Sequence, residues 1–185
     1  MAHRICPWWL GYLLASPLRR LLQDPRKLLA PYVREGMTVL EPGPGMGFFT
    51  LELGRLVGPS GRVVAVDVQP RMLSRLKRRA ARAGLRERVN ARQAGPDTLL
   101  IADLAGVVDF TLAFYLVHEL PAVERFVAEV AMASKPGAGL LFVEPAGHVK
   151  MADFEIELQA AINAGFELAD RPKIRRSNAA FLRKV

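Results

Sequence analysis

The chain has 185 residues, 51% of them hydrophobic, with one cysteine, three histidines and a net charge of +8. That length suits one domain with a single core; the lone Cys6 excludes an internal disulfide framework and a cysteine-rich zinc site, and suits a reducing, cytoplasmic setting. His3, His118 and His148 lack metal-ligand spacing, so no metal is expected, and the charge is uneven: residues 61–92 carry ten basic against two acidic residues, whereas residues 93–165 carry three against ten.

In chain order, the first feature is the apolar run CPWWLGYLLA, preceded by His3 and Arg4. A spanning helix needs about 20 apolar residues. Pro17, Arg19 and Arg20 follow where a small-residue cleavage pattern would stand, so neither a transmembrane segment nor a signal peptide is expected. Three readings of Trp8, Trp9 and Tyr12 stay open: a lid stacking on a flat apolar substrate, a membrane-surface helix backed by Arg19 and Arg20, or core filling. Helices are expected around Leu13 to Gln23 and Pro25 to Ala30. Residues 1–35 precede the repeating pattern and form a helical lid segment in this reading, set apart from a domain over 36–185.

From there the pattern alternates. MTVLE (37–41) reads as a strand, FFTLELGRLV as a helix, GRVVAVD (61–67) as a strand, and Pro70 to Ala83 as a helix with proline at an early position. ERVNARQ is a weaker strand, followed by a short helix within Asp97 to Asp103. VVDFTLAFYL (107–116) is a continuous apolar strand, as in a parallel sheet covered on both faces. A helix runs from Pro121 to about Ser134, KPGAGLLFVEP supplies a turn and a fifth strand, and Asp153 caps a helix ending before Gly165. FELADRPKIRRS and AAFLRKV are strand-like runs with no room for a crossover helix between them, which predicts an antiparallel hairpin. The expected fold is therefore α/β and Rossmann-like: a seven-stranded, mostly parallel sheet with helices on both faces and a C-terminal antiparallel hairpin.

Three glycines, Gly43, Gly45 and Gly47, fall in the first strand-to-helix turn, in the stretch VLEPGPGMGFF. In a doubly wound sheet, ligands bind beyond the carboxyl ends of the strands, and glycine lets a ligand lie against the backbone there. Asp67 ends the second strand, where a carboxylate can accept hydrogen bonds from both hydroxyls of a ribose; the competing reading makes it a cap for the next helix. The dinucleotide fingerprint G-x-G-x-x-G/A fails, because its third small position is Phe48.

The spacing from Glu41 to Gly47, acid-x-G-x-G-x-G, together with GRVVAVDVQPRML, VHELP and KPGAGLLFVEP in that order, resembles the successive motifs of the class I S-adenosylmethionine-dependent methyltransferases over about residues 32–185. The resemblance implies S-adenosyl-L-methionine as cofactor. It implies that the Glu41–Gly47 loop holds its methionyl part and that Asp67 binds its ribose. Val68, Gln69 and Met72 then stand near the adenine, as do Gly95 and Pro96 with Asp97 slightly displaced, while Ala113 and Phe114 face the cofactor through backbone groups.

Methyl transfer from a sulfonium is an in-line displacement in which the protein aligns the reactants and excludes water. Soft nucleophiles need little more, whereas a hydroxyl or a protonated amine needs a base. His118, with Glu119 beside it, follows the fourth strand and is the candidate base, against a structural role in the next helix. His148 is a second candidate, and Tyr115 and Glu144 are expected near the acceptor. The implied partner is a small-molecule acceptor. An RNA methyltransferase is the chief alternative, favoured by the basic helix at 71–82, but the fourth strand ends in AFYL, without the signature for exocyclic base amines. A module that binds cofactor without turnover is another alternative, and O, N, S and C acceptors and the oligomeric state stay open at this point.

Overall fold

The computed structural model describes residues 23–185. The expectations for Trp8, Trp9, Tyr12, Cys6 and the helix at Leu13 to Gln23 fall largely outside these residues. Among the described residues, seven strands form one sheet in the order β3-β2-β1-β4-β5-β7-β6. They are β1 (Thr38–Pro42), β2 (Arg62–Asp67), β3 (Val89–Gln93), β4 (Val108–Phe114), β5 (Ser134–Pro145), β6 (Phe166–Asp170) and β7 (Ser177–Lys184). The helices are α1 (Pro25–Leu29), α2 (Thr50–Leu56), α3 (Pro70–Arg82), α4 (Val123–Ala133) and α5 (Met151–Asn163). No helix among the described residues is long and apolar enough to cross a membrane. The chain divides into two compact units at Ala94/Gly95.

In the first unit, Asp24 accepts hydrogen bonds from the backbone N–H of Arg26 (3.0 Å) and Lys27 (3.3 Å), and Pro25 opens the short α1. Strand β1 pairs in parallel with β2 from Thr38↔Arg62 to Pro42↔Val66, and β2 pairs in parallel with β3. All five residues of β1 and five of six in β2 are buried, as expected for parallel strands covered on both sides. Helix α3 is strongly amphipathic: Met72, Leu73, Leu76 and Ala80 turn inward, and Leu73, Leu76 and Ala80 pack on Leu51, Ala65, Leu85, Val89 and Ala91. Its arginines and lysine occupy the opposite stripe, the pattern that a 3.6-residue period imposes on such a sequence.

The second unit starts with a difference from expectation. Asp97 to Asp103 forms no α-helix; a single 3-10 turn covers Ala102–Leu104. Gly95 N–H closes a tight turn on Thr98 O (2.9 Å), and Leu100 adopts φ +54°. Strand β5 follows α4 directly, so the expected turn at Lys135 to Gly137 is absorbed into a strand of irregular register. Asp153 is not the cap of α5: the helix starts at Met151 behind Lys150, leaving Asp153 in the first turn, where its charge suits the helix dipole. The C-terminal hairpin forms as expected. β7 is antiparallel to β5 from Gly139↔Arg183 to Pro145↔Ser177 and antiparallel to β6. Phe142 of β5 stacks on Phe154 of α5, with ring centroids 5.4 Å apart.

Candidate active site

Two clusters carry chemistry, one in each unit. In the first, the turn from β1 to α2 holds Gly43, Gly45 and Gly47 at φ +67°, +53° and +82°, backbone angles that L side chains rarely adopt. The last two glycines serve different ends. A Cβ at Gly47 would lie 2.4 Å from Leu76 Cδ1, so that position lets α3 approach the loop. A Cβ at Gly45 would meet nothing within 4 Å, so the space beside that backbone is open.

Asp67, at the carboxyl end of β2, is nearly buried and braces the same turn. Its Oδ2 accepts the N–H of Gly45 (3.3 Å) and its Oδ1 the N–H of Gln69 (2.8 Å). The second bond reaches Gln69, which is itself the N-cap of α3, so Asp67 lies just outside the helix and is not the cap of the competing reading. The first ties the carboxylate to the glycine turn, and carboxylate oxygens retain lone pairs for further donors. Val68 is exposed, Gln69 is half-buried and Met72 is buried. Arg79 Nη1 donates to the carbonyl of Met46, so one residue of the basic stripe holds the loop from the α3 side.

Glu41 lies within β1 and is buried at 3% exposure, with Oε2 lacking a hydrogen-bond partner. Burial pushes its pKa up to about 8; the Thr50 hydroxyl acts in the opposite direction, and the charge of Asp67 adds to the rise. An open backbone cradle, a braced carboxylate and a buried acid lacking a partner on one oxygen together fit a ligand bearing a cation and a ribose. S-adenosylmethionine is such a ligand. Glu41 and the 43–47 backbone would hold its amino-acid end, and Asp67 its sugar.

The second cluster lies just past the carboxyl end of β4. Ala113 and Phe114 end that strand buried, and Tyr115 takes φ +57° with its hydroxyl 2.7 Å from Ser177 Oγ. Strain of this kind in a non-glycine residue is most often found at functional sites. A 3-10 turn, Val117–Glu119, presents His118. Its Nδ1 hydrogen-bonds Glu144 Oε2, and its Nε2 lies 4.0 Å from Glu119 Oε1. The bond to Glu144 raises the His118 pKa, burial opposes this, and the Glu144, Glu119 and Glu157 charges add to the rise.

Glu144, expected beside the acceptor, is instead fully buried and bonded to His118. His148, expected in the same cleft, sits exposed on the loop after β5 and does not join the pair. Gly95 and Pro96 form their turn, while Asp97 pairs with Arg125 at 2.7 Å. Sequence reasoning missed Glu157, Ser177 and Arg79. Only Arg79 carried a signal, as part of the basic stripe, and that stripe pointed outward.

A family model for a methyltransferase domain matches residues 39–137, more than half of the chain. The chain belongs to that family, among the class I, Rossmann-like S-adenosylmethionine-dependent methyltransferases. A crystal structure of a SAM dependent methyltransferase from Aquifex aeolicus shares the fold with a TM-score of 0.87 at 26% identity, covering 98% of this chain and all of that one. Among curated proteins, the Ubiquinone/menaquinone biosynthesis C-methyltransferase UbiE of Pasteurella multocida is 30% identical over 112 residues, 60% of this chain and 41% of that protein. Its counterpart from Erwinia tasmaniensis is 34% identical over 113 residues, again 60% of this chain and 44% of that protein. The chain thus spans less than half the length of the curated relatives it matches.

Proposed function

We propose that the chain transfers a methyl group from S-adenosylmethionine to a small-molecule acceptor in the cytoplasm. The observation that carries this is the Glu41–Gly47 loop, with open space beside Gly45 and Asp67 braced against the Gly45 N–H. The cofactor supplies an electrophilic methyl on a sulfonium; the chain binds and orients it and keeps water away. The acceptor class is suggested by the curated relatives, which are named for C-methylation in ubiquinone/menaquinone biosynthesis. A quinol lacking one ring methyl is therefore the first acceptor to test. Trp8, Trp9 and Tyr12, in the segment assigned as a lid, are the candidates to stack on such a ring.

Calorimetric titration with S-adenosylmethionine tests the cofactor half. Binding is expected, and Asp67→Ala should weaken it at least about tenfold, ~1.4 kcal/mol, for loss of charge-assisted hydrogen bonds. Asp67→Asn, which keeps the shape and one acceptor oxygen, should fall between wild type and alanine. Equal affinity in all three proteins would remove Asp67 from the ribose site.

A further inference from the structure

Glu144 stands next to last in β5 with no exposed surface, yet both its oxygens are engaged. Oε1 accepts the N–H of Leu116 (3.2 Å) and of Val117 (2.8 Å), and Oε2 holds His118 Nδ1. A carboxylate can only accept hydrogen bonds, so the imidazole nitrogen facing it must carry the proton. The neutral ring then has its lone pair on Nε2. The His118 side chain is a quarter exposed, which leaves a path for a substrate group to reach the ring. Glu157, from α5, adds a second carboxyl whose Oε2 is buried without a hydrogen-bond partner. Burial and the neighbouring Glu144 charge push Glu157 up to about 7, with Asp153 adding to the rise and His118 opposing it. Glu144 and Glu157 lie beyond the residues 39–137 matched by the family model, whereas His118 lies within them, so the pair joins a residue inside that match to one outside it.

We infer that Glu144 is a positioning residue that locks His118 as a proton acceptor through Nε2, and that the methyl acceptor is one that must surrender a proton from oxygen, nitrogen or carbon. The inference rests on the methyltransferase reading above and narrows its acceptor. The acceptor's O, N or C forms a bond to the methyl carbon as the sulfonium C–S bond breaks, and the electron pair stays on sulfur as S-adenosylhomocysteine. The acceptor proton passes to His118 Nε2 and later to solvent, while Glu144 keeps its hold on Nδ1. A thiolate, which has already lost its proton, would gain nothing from this arrangement.

Histidine-selective 15N NMR on the full chain, from about pH 5 to about pH 9, reads the proton directly, with His118 assigned by its absence in His118→Gln. Neutral His118 is expected as the Nδ1–H tautomer with a titration midpoint above 6.5. In Glu144→Gln the amide NH2 would donate to Nδ1, so the tautomer should switch to Nε2–H and the midpoint should fall. Glu157→Gln should lower the midpoint and keep the tautomer. An Nε2–H tautomer in wild type overturns the inference, as does an unchanged spectrum in Glu144→Gln. Should Glu144→Gln fail to fold, the wild-type tautomer decides. Turnover of the quinol probe should drop at least about tenfold in Glu144→Gln, since a ring of the wrong tautomer cannot take the proton; unchanged turnover also overturns the inference. S-adenosylmethionine calorimetry separates the two readings. Wild-type protein that binds no cofactor but shows the expected tautomer sinks the methyltransferase reading and upholds the His118–Glu144 pair. Normal cofactor binding with the wrong tautomer sinks the pair alone.

Discussion

Glu41 is the acid most disfavoured by its surroundings in the isolated chain. Its folded pKa of about 8 stands above the ordinary 4.5, so between those values the folded state holds a proton that the unfolded state has lost. Stability should therefore be full below about pH 4.5 and decline as pH rises through about 8. Glu41→Gln removes the titration. Urea unfolding at about pH 5 and about pH 9 should show wild type losing stability relative to the variant, on the order of a few kcal/mol. Parallel curves for the two proteins would clear Glu41 of that role. This acid was legible in the sequence because it heads an acid-x-G-x-G-x-G spacing directly behind a strand. Glu144 was assigned to the acceptor cleft because its partner, His118, lies 26 residues away, and no periodicity reports a contact across that distance. Tyr115 and Ser177, 62 residues apart, were hidden for the same reason.

The turn between β1 and α2 divides its glycines between folding and binding. Gly47→Ala adds a Cβ against fully buried Leu76 at a positive φ, and should cost about 2 kcal/mol or more in denaturant unfolding. Gly45→Ala meets open space, so its stability cost should stay near the ~1 kcal/mol of a left-handed alanine, while cofactor affinity falls sharply. Equal stability losses with equal affinities would refute the division. Strands, helices and the terminal hairpin were readable from hydrophobic period and turn residues, since each is decided within ten or so positions. The segment Asp97 to Asp103 was not: its composition permits a helix, but the Gly95–Thr98 turn and the bond from Leu99 N–H to Glu129 Oε2 (2.6 Å) fix it otherwise. Asp153 lies three positions past the true N-cap, Lys150, which precedes α5 without any side-chain cap bond and so left no signal in the sequence.

For the chain as a whole, the net charge of +8 raises the question of nucleic acid. The stripe on α3 follows from amphipathic patterning, and Arg79 is spent on the glycine loop. RNA affinity is therefore expected to collapse as salt rises, with no methyl transferred to RNA. Binding that persists at high salt together with RNA methylation would instead favour the RNA methyltransferase alternative. The sheet order carries a different consequence. β7 comes after β6 in the chain yet lies between β5 and β6. While a ribosome is still extending the chain, the flank of β5 from Gly139 to Pro145 has nothing to zip onto until Ser177–Lys184 emerges. Until β7 pairs, that flank is a bare template for strand pairing with other chains, so unfinished folding leaves this edge open to aggregation.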